Sequence, residues 1–232
     1  MLIDLVVVDR SRDFCSAIEA ELRDALAACG GAPVTARVVC GDMLSALGVA
    51  RDDDEKCRDD EFETIACAPI LDDQTPTFVV FGGNTAGVAA GNAQRAMRRA
   101  FPLQFREIAA QAKAARDDDD DDDGCWPHDT VGSLYASSAS SGVTLVSCCV
   151  FPRDARREHE NVRRAFRDAL LFVATGGARL ARVRVVTHGL GVFVGHPDPC
   201  AFARAMAHGL ADFARALSDD EIPREAGGRH LN

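Results

Sequence analysis

Two glycine segments, each following a β-branched apolar run, hold the residues of this 232-residue chain whose types and spacing could do chemistry. The first passes from Phe78-Val79-Val80-Phe81 into Gly82-Gly83-Asn84-Thr85-Ala86-Gly87 and on to Gly91. The second passes from Val183-Arg184-Val185-Val186-Thr187 into His188-Gly189-Leu190-Gly191 and on through Gly195 to Asp198-Pro199. A strand, glycines and then a helical pattern is the arrangement in which backbone N–H groups face a phosphate beside a helix N-terminus. Two separated crossovers of this kind read as a nucleotide-type site.

Other chemistries lack their residues. The nine cysteines contain no C-x-x-C pair, and Cys148 and Cys149 are adjacent in an expected strand, so their side chains point to opposite faces and make poor joint ligands. Buried reduced thiols are the expectation. The six histidines show neither H-x-x-x-H nor H-E-x-x-H spacing, so no metal site is argued. There is no G-x-x-x-x-G-K-[ST] loop and no G-x-S-x-G elbow, and the Gly87 to Gly91 stretch lacks the third glycine and following acid of a dinucleotide fingerprint.

The elements that must position the glycine segments follow from periodicity. Residues 2–8 form a continuous apolar run of strand length, suited to burial on both faces. Phe14, Ile18, Leu22, Ala25 and Leu26 recur at helical spacing until Gly30-Gly31, and residues 34–40 read as a second strand ending at Gly41-Asp42-Met43. Residues 77–81 read as a third strand. Ala93, Met97, Ala100, Phe101, Phe105 and Ile108 then give a helix that Pro102 kinks or divides. Residues 132–138 and 143–150 are strand candidates joined by a Ser/Gly turn. Val162, Ala165, Phe166, Ala169, Leu170 and Val173 form a helical stripe closed by Gly176-Gly177, and residues 181–187 form a strand. Asp198-Pro199 supplies an N-cap and first-turn proline for a helix that buries Phe202, Met206, Leu210, Phe213 and Leu217. Strands alternating with helices imply a three-layer α/β/α sandwich around a mixed, mostly parallel sheet.

The formal charge of -10 belongs to two segments. Residues 117–123 are seven consecutive aspartates, and residues 52–63 carry eight acids against Lys56 and Arg58, so about three net positive charges remain on the rest, a balance that suits a small anionic ligand. Both acidic segments read as solvated inserts in a single domain over residues 1–217, followed by a tail at 218–232. Arg153, Arg156, Arg157, Arg163, Arg164 and Arg167 could track phosphates along a helix, but a solvated face is the better reading and the aspartate run opposes DNA. Residues 1–9 are too short and acidic for a signal peptide, and no apolar stretch approaches membrane-spanning length, so a soluble intracellular protein is expected, cytoplasmic or nuclear.

The order strand, helix, strand, Gly41-Asp42-Met43, strand, Asn84 in a glycine loop, helix, strand pair, helix, strand, Gly189-Leu190-Gly191 loop, helix resembles a macro domain. In particular it is similar to a bacterial and phage macro-domain-like group with an apolar-Asp-Arg start and a Gly-Asp-Ile/Met step. The resemblance spans about residues 1–217 and rests on the order and spacing of short motifs.

It implies binding of ADP-ribose or a related adenine nucleotide, with an ADP-ribosylated protein as a further candidate partner. Asp42, followed by Met43, matches the acid that accepts a hydrogen bond from the adenine amine. A second role is equally open to Asp42, that of capping the turn or helix that follows. Asn84 matches the asparagine at the distal ribose, or is a turn asparagine. Gly87 and Gly91 match the loop after it, and Gly189, Gly191 and Gly195 match the diphosphate loop. Where the group has Gly-Thr-Gly, this chain has Gly191-Val192-Phe193. Phe193 could narrow the phosphate cradle, stack on a ribose or base, or fill the space of an abandoned ligand.

Hydrolysis has less behind it. Ala90 stands where some catalytic relatives carry Asp, and Asn84 could orient a water but not act as a base. Binding is therefore favoured over catalysis. An enzyme of this kind would be an ADP-ribosyl or ADP-ribose-phosphate hydrolase, and no cofactor is called for. The competing expectation is a degenerate macro fold serving as a structural or protein-interaction module.

Overall fold

The structure, a computed structural model, describes residues 1–49, 67–72, 74–83, 92–117, 134–140, 142–150, 158–190 and 198–218. The apolar start of the chain forms β1 (Leu2–Asp9). Helix α1 (Arg12–Ala28) begins where the Ser11 hydroxyl accepts the Phe14 N–H. It ends before Gly30 and Gly31, whose φ values of 54° and 109° reverse the chain at little steric cost. Then follow β2 (Val34–Cys40) and a single-turn helix α2 (Met43–Ala46), which periodicity does not reveal. β3 (Thr77–Gly83) leads to α3 (Asn92–Ala100) and α4 (Pro102–Asp117), and the helical run is divided at Pro102 as its missing N–H requires.

β4 (Leu134–Ala136) and β5 (Val143–Cys149) are antiparallel neighbours, α5 (Glu158–Gly176) crosses over, and β6 (Arg182–Thr187) and α6 (Pro199–Ser218) complete the described chain. Asp198 Oδ1 accepts the Ala201 N–H at 2.9 Å, so the cap-proline pair opens α6 as its sequence dictates.

The six strands lie in the order β2-β1-β6-β3-β5-β4, all parallel except β4. Alternation along β1 separates two apolar layers. Ile3, Leu5 and Val7 face α1, α5 and α6 through Phe14, Phe166 and Phe213, whereas Val6 and Val8 face Met43, Met97, Phe105 and Ile108 of α2, α3 and α4. Cys148 joins the first layer and Cys149 the second, the opposed orientation expected of strand neighbours. The result is a three-layer α/β/α sandwich.

Helices α5 and α6 approach closely because residue 209 is glycine: a Cβ there would stand 2.6 Å from the Arg163 carbonyl oxygen. Beside this contact Arg163 donates from Nε to Asp212 Oδ2 at 2.6 Å and from Nη2 to Oδ1 at 3.1 Å. Arg167 pairs with its neighbour Asp168, so two of the arginines considered for phosphate tracking have carboxylate partners. Arg153, Arg156 and Arg157 lie outside the described residues.

Among the described cysteines, Cys15, Cys148 and Cys149 are buried as expected of inert thiols, Cys29, Cys40 and Cys67 are half-buried, and Cys200 is exposed. Burial, with Cys40 alongside, raises Cys15 to about 12, and burial raises Cys149 to about 11, far from thiolate reactivity. Residues 52–63 and 118–123 of the acidic segments lie outside the described residues, as do 219–232 of the tail.

Candidate functional site at the carboxyl edge of the sheet

Five parallel strands bring their carboxyl ends to one edge, the side on which open α/β sheets offer a crevice to ligands. β1 delivers Asp9, β2 delivers Gly41 and Asp42, β3 delivers Gly82, β5 delivers Val150, and β6 delivers His188 and Gly189. The two glycine segments therefore start from the same edge, through strands β3 and β6 that are themselves paired.

Asp9 and His188 tie these strand ends together. Asp9 Oδ1 accepts the Ser11 N–H at 2.9 Å, and Oδ2 accepts the Gly189 N–H at 3.1 Å. Its backbone oxygen accepts the Gly41 N–H at 2.9 Å, so one residue joins β1 to the starts of α1, α2 and the second glycine segment. His188 Nε2 accepts the Gly82 N–H in a long bond of 3.4 Å, which places the ring proton on Nδ1, 3.0 Å from the Gly189 oxygen. Desolvation lowers His188 below its ordinary value, outweighing the pull of Asp9 in the other direction, and the ring stays neutral. A Cβ on Gly82 would lie 3.2 Å from Val150 Cγ2, so β3 leaves the sheet closely packed against the end of β5.

Asp42 is the N-cap of α2. Its Oδ1 accepts the Leu44 and Ser45 N–H groups at 2.9 and 3.1 Å, and its Oδ2 accepts Arg10 Nε at 2.9 Å together with Arg10 Nη2. The carboxylate is 3% exposed and takes donors on both oxygens. The capping role open to Asp42 is thus present, with an arginine partner added. Met43 is turned into the apolar layer under the sheet. Gly189 stands at the edge with its N–H on Asp9. Asn84, Gly87, Gly91, Gly191, Phe193 and Gly195, with Val192 and Ala90, lie outside the described residues.

Three contributors are not among the site residues expected from the sequence. Asp9 and Arg10 had a signal, since charged residues directly after a buried parallel strand fall at the ligand edge. Asn161 had a fainter one. It lies on the buried stripe of α5 four residues before Ala165, is 5% exposed, and its Nδ2 has no hydrogen-bond partner among the described residues. Leaving such a donor unpaired costs about 1–3 kcal/mol.

Among the described residues no group of three His, Cys, Asp or Glu side chains could hold a metal ion. No helix of the described residues is long and apolar enough to cross a membrane.

The class defined by this fold is an open-sheet α/β/α sandwich. No family model matches the chain. No curated protein matches it either. A solved structure of a protein of unknown function from Bacteroides thetaiotaomicron is similar at 9% identity and a TM-score of 0.42, over 58% of this chain and 80% of that one. A likeness of that degree carries no argument about function.

Proposed function

We propose that the carboxyl edge binds ADP-ribose or a related adenine nucleotide, free or attached to a protein, with the Asp42 carboxylate accepting from the adenine amine and the two glycine segments receiving the phosphates. The observation that carries this reading is the convergence of Asp42, Gly82 and Gly189 on one edge, with Asp9 and His188 fixing where both glycine segments begin. Fixing the point at which each glycine segment leaves the sheet suits the edge to a phosphate, because it lessens the ordering required on binding. Adenine must exchange with Arg10 at Oδ2, since that oxygen takes the guanidinium.

Binding rather than hydrolysis is favoured at this edge. Asp9 has a backbone N–H on each oxygen, and His188 uses both ring nitrogens. With its Nε2 lone pair on the Gly82 N–H, His188 is not poised to take a proton from water. The Arg10–Asp42 pair also supports a second reading, a macro-like fold kept as a protein-interaction module with its adenine acceptor closed by arginine.

Calorimetric titration with ADP-ribose, with AMP and NAD as comparators, separates the two. The nucleotide reading expects micromolar affinity, weakened about tenfold or more in Asp42→Asn, which keeps a capping oxygen but loses the charge. Absence of heat with every ligand removes the nucleotide reading and leaves the interaction module.

A further inference from the structure

The face of α5 directed at the sheet and α6 reads Asn161, Ala165, Ala169, Val173 at four-residue spacing, and the last three belong to the apolar layer. An asparagine begins a stripe that is otherwise hydrocarbon. It is 95% buried by its 5% exposure, and its amide nitrogen has no partner among the described residues. The Cα–Cβ bonds of a helix tilt toward its N-terminus, which sets Asn161, the fourth residue of α5, against the opening turn. There the first N–H groups lack intrahelical acceptors and the helix dipole is positive.

That turn stands at the carboxyl edge. α5 follows β5 out of the sheet there, and α6 starts beside it, with the His159 ring edge-on to Phe202 at a centroid distance of 4.7 Å. Two helix N-termini and an unpaired buried amide are therefore neighbours at the edge from which the second glycine segment leaves β6. Asn161 Nδ2 and the first N–H groups of α5 are donors, while the start of α6 carries the Asp198 carboxylate on its Ala201 N–H. A phosphate, which only accepts at neutral pH once fully ionised, matches the donors of α5.

The geometry points to Asn161 as a phosphate-binding residue: its Nδ2–H groups donate to a phosphoryl oxygen seated at the N-terminus of α5. This rests on the nucleotide reading of the same edge and deepens it, because it assigns the place of the anion independently of Asp42 and the base.

The test uses the full chain with Asn161→Leu, close in volume and without polar atoms, and Asn161→Asp, equal in shape but carrying only acceptors when ionised. Thermal melting checks that each folds, and Asn161→Leu should melt no lower than the parent because an unpaired buried donor is removed. Each protein is titrated calorimetrically with ADP-ribose, adenosine and inorganic pyrophosphate. Both variants should bind ADP-ribose and pyrophosphate at least tenfold more weakly, Asn161→Asp the more so, with adenosine unchanged. Equal ADP-ribose affinity in the parent and Asn161→Leu overturns the assignment while the nucleotide reading stands. Pyrophosphate binding that is lost in the variants, with ADP-ribose bound no more tightly than pyrophosphate, keeps the assignment and removes the adenine reading. Equal losses for adenosine and pyrophosphate, or no binding of pyrophosphate and ADP-ribose to the parent, overturn it.

Discussion

The backbone N–H of Gly82 points at His188 Nε2 across 3.4 Å, joining the ends of β3 and β6, while Nδ1 of the same ring faces the Gly189 oxygen at 3.0 Å. A protonated ring would have no lone pair for Gly82. The fold therefore prefers neutral imidazole, in keeping with the lowered pKa of His188. The sign of the pH effect follows. Below the ordinary histidine value of about 6.5 the unfolded chain binds a proton that the folded chain resists. The stability contribution of this group is complete above that value and falls as pH drops from it toward the lowered folded value. Thermal melting between pH 8 and pH 5 should show the parent losing stability in that window more steeply than His188→Gln, which keeps a donor and an acceptor without titrating. Parallel profiles would remove His188 from the account.

Most of the layering behind this edge is legible in the sequence. The buried run at β1, the stripe of α6 and the proline break between α3 and α4 each come from a local rule of period or backbone chemistry, and each lies where that rule puts it. The α/β/α layering then follows from alternation. Strand order and the ties among strand ends did not, because Asp9 and Gly189 are 180 residues apart and only the pairing of β1 with β6 makes them neighbours. Asp42 shows the same limit: the cap was readable from its position, whereas the Arg10 partner depends on β1 lying beside β2. Asn161 was illegible because a single polar residue at the end of a stripe looks like the end of the stripe.

Asp42 separates two energies that one substitution would confuse. Asp42→Ala removes the cap of α2 and the partner of Arg10, and capping loss alone costs about 0.5–2 kcal/mol. Asp42→Asn retains an oxygen for the Leu44 and Ser45 N–H groups. Urea unfolding should therefore place Asp42→Asn between the parent and Asp42→Ala. Equal losses would mean that the arginine contact, not the cap, dominates at this residue.

At the opposite end of β1, Asp4 and Arg184 form a directly opposed pair between β1 and β6, both 7% exposed, with Arg184 Nε on Asp4 Oδ2 at 3.1 Å. Arg184 Nη1 also reaches the Ile70 oxygen at 2.5 Å and Asp72 Oδ2 at 2.8 Å, fastening residues 67–72 to the sheet. Arg184 holds the Asp72 carboxyl well below the usual range. Removing one member of a buried pair leaves an uncompensated charge and costs about 3–5 kcal/mol. Arg184→Met should fall in that range, although the second contact of Asp4 with Arg182 at 3.3 Å moderates the loss. Adding Asp4→Leu to Arg184→Met should restore much of the stability, since no buried charge is then left on these strands. A double variant no better than Arg184→Met would show that the tie to residues 67–72 carries the energy.

Gly209 sets the spacing of α5 and α6, and hence the position of Asn161 relative to the N-terminus of α6. In an exposed helix interior Gly→Ala gains about 1 kcal/mol of propensity. Here the new methyl would stand 2.6 Å from the Arg163 oxygen and 3.4 Å from the Arg167 nitrogen, both backbone atoms that cannot turn aside. Overpacking of this kind costs about 1–3 kcal/mol, so the clash should outweigh the propensity gain. Chemical denaturation should find Gly209→Ala less stable than the parent. The helices must part to admit the methyl, which strains the paired Arg163–Asp212 bonds beside it. If Asn161 takes its phosphate jointly with the N-terminus of α5, the same variant should also weaken pyrophosphate binding at a temperature where it is fully folded. A Gly209→Ala protein as stable as its parent would show that α5 and α6 can separate freely, and would remove their close approach as the device that fixes the edge.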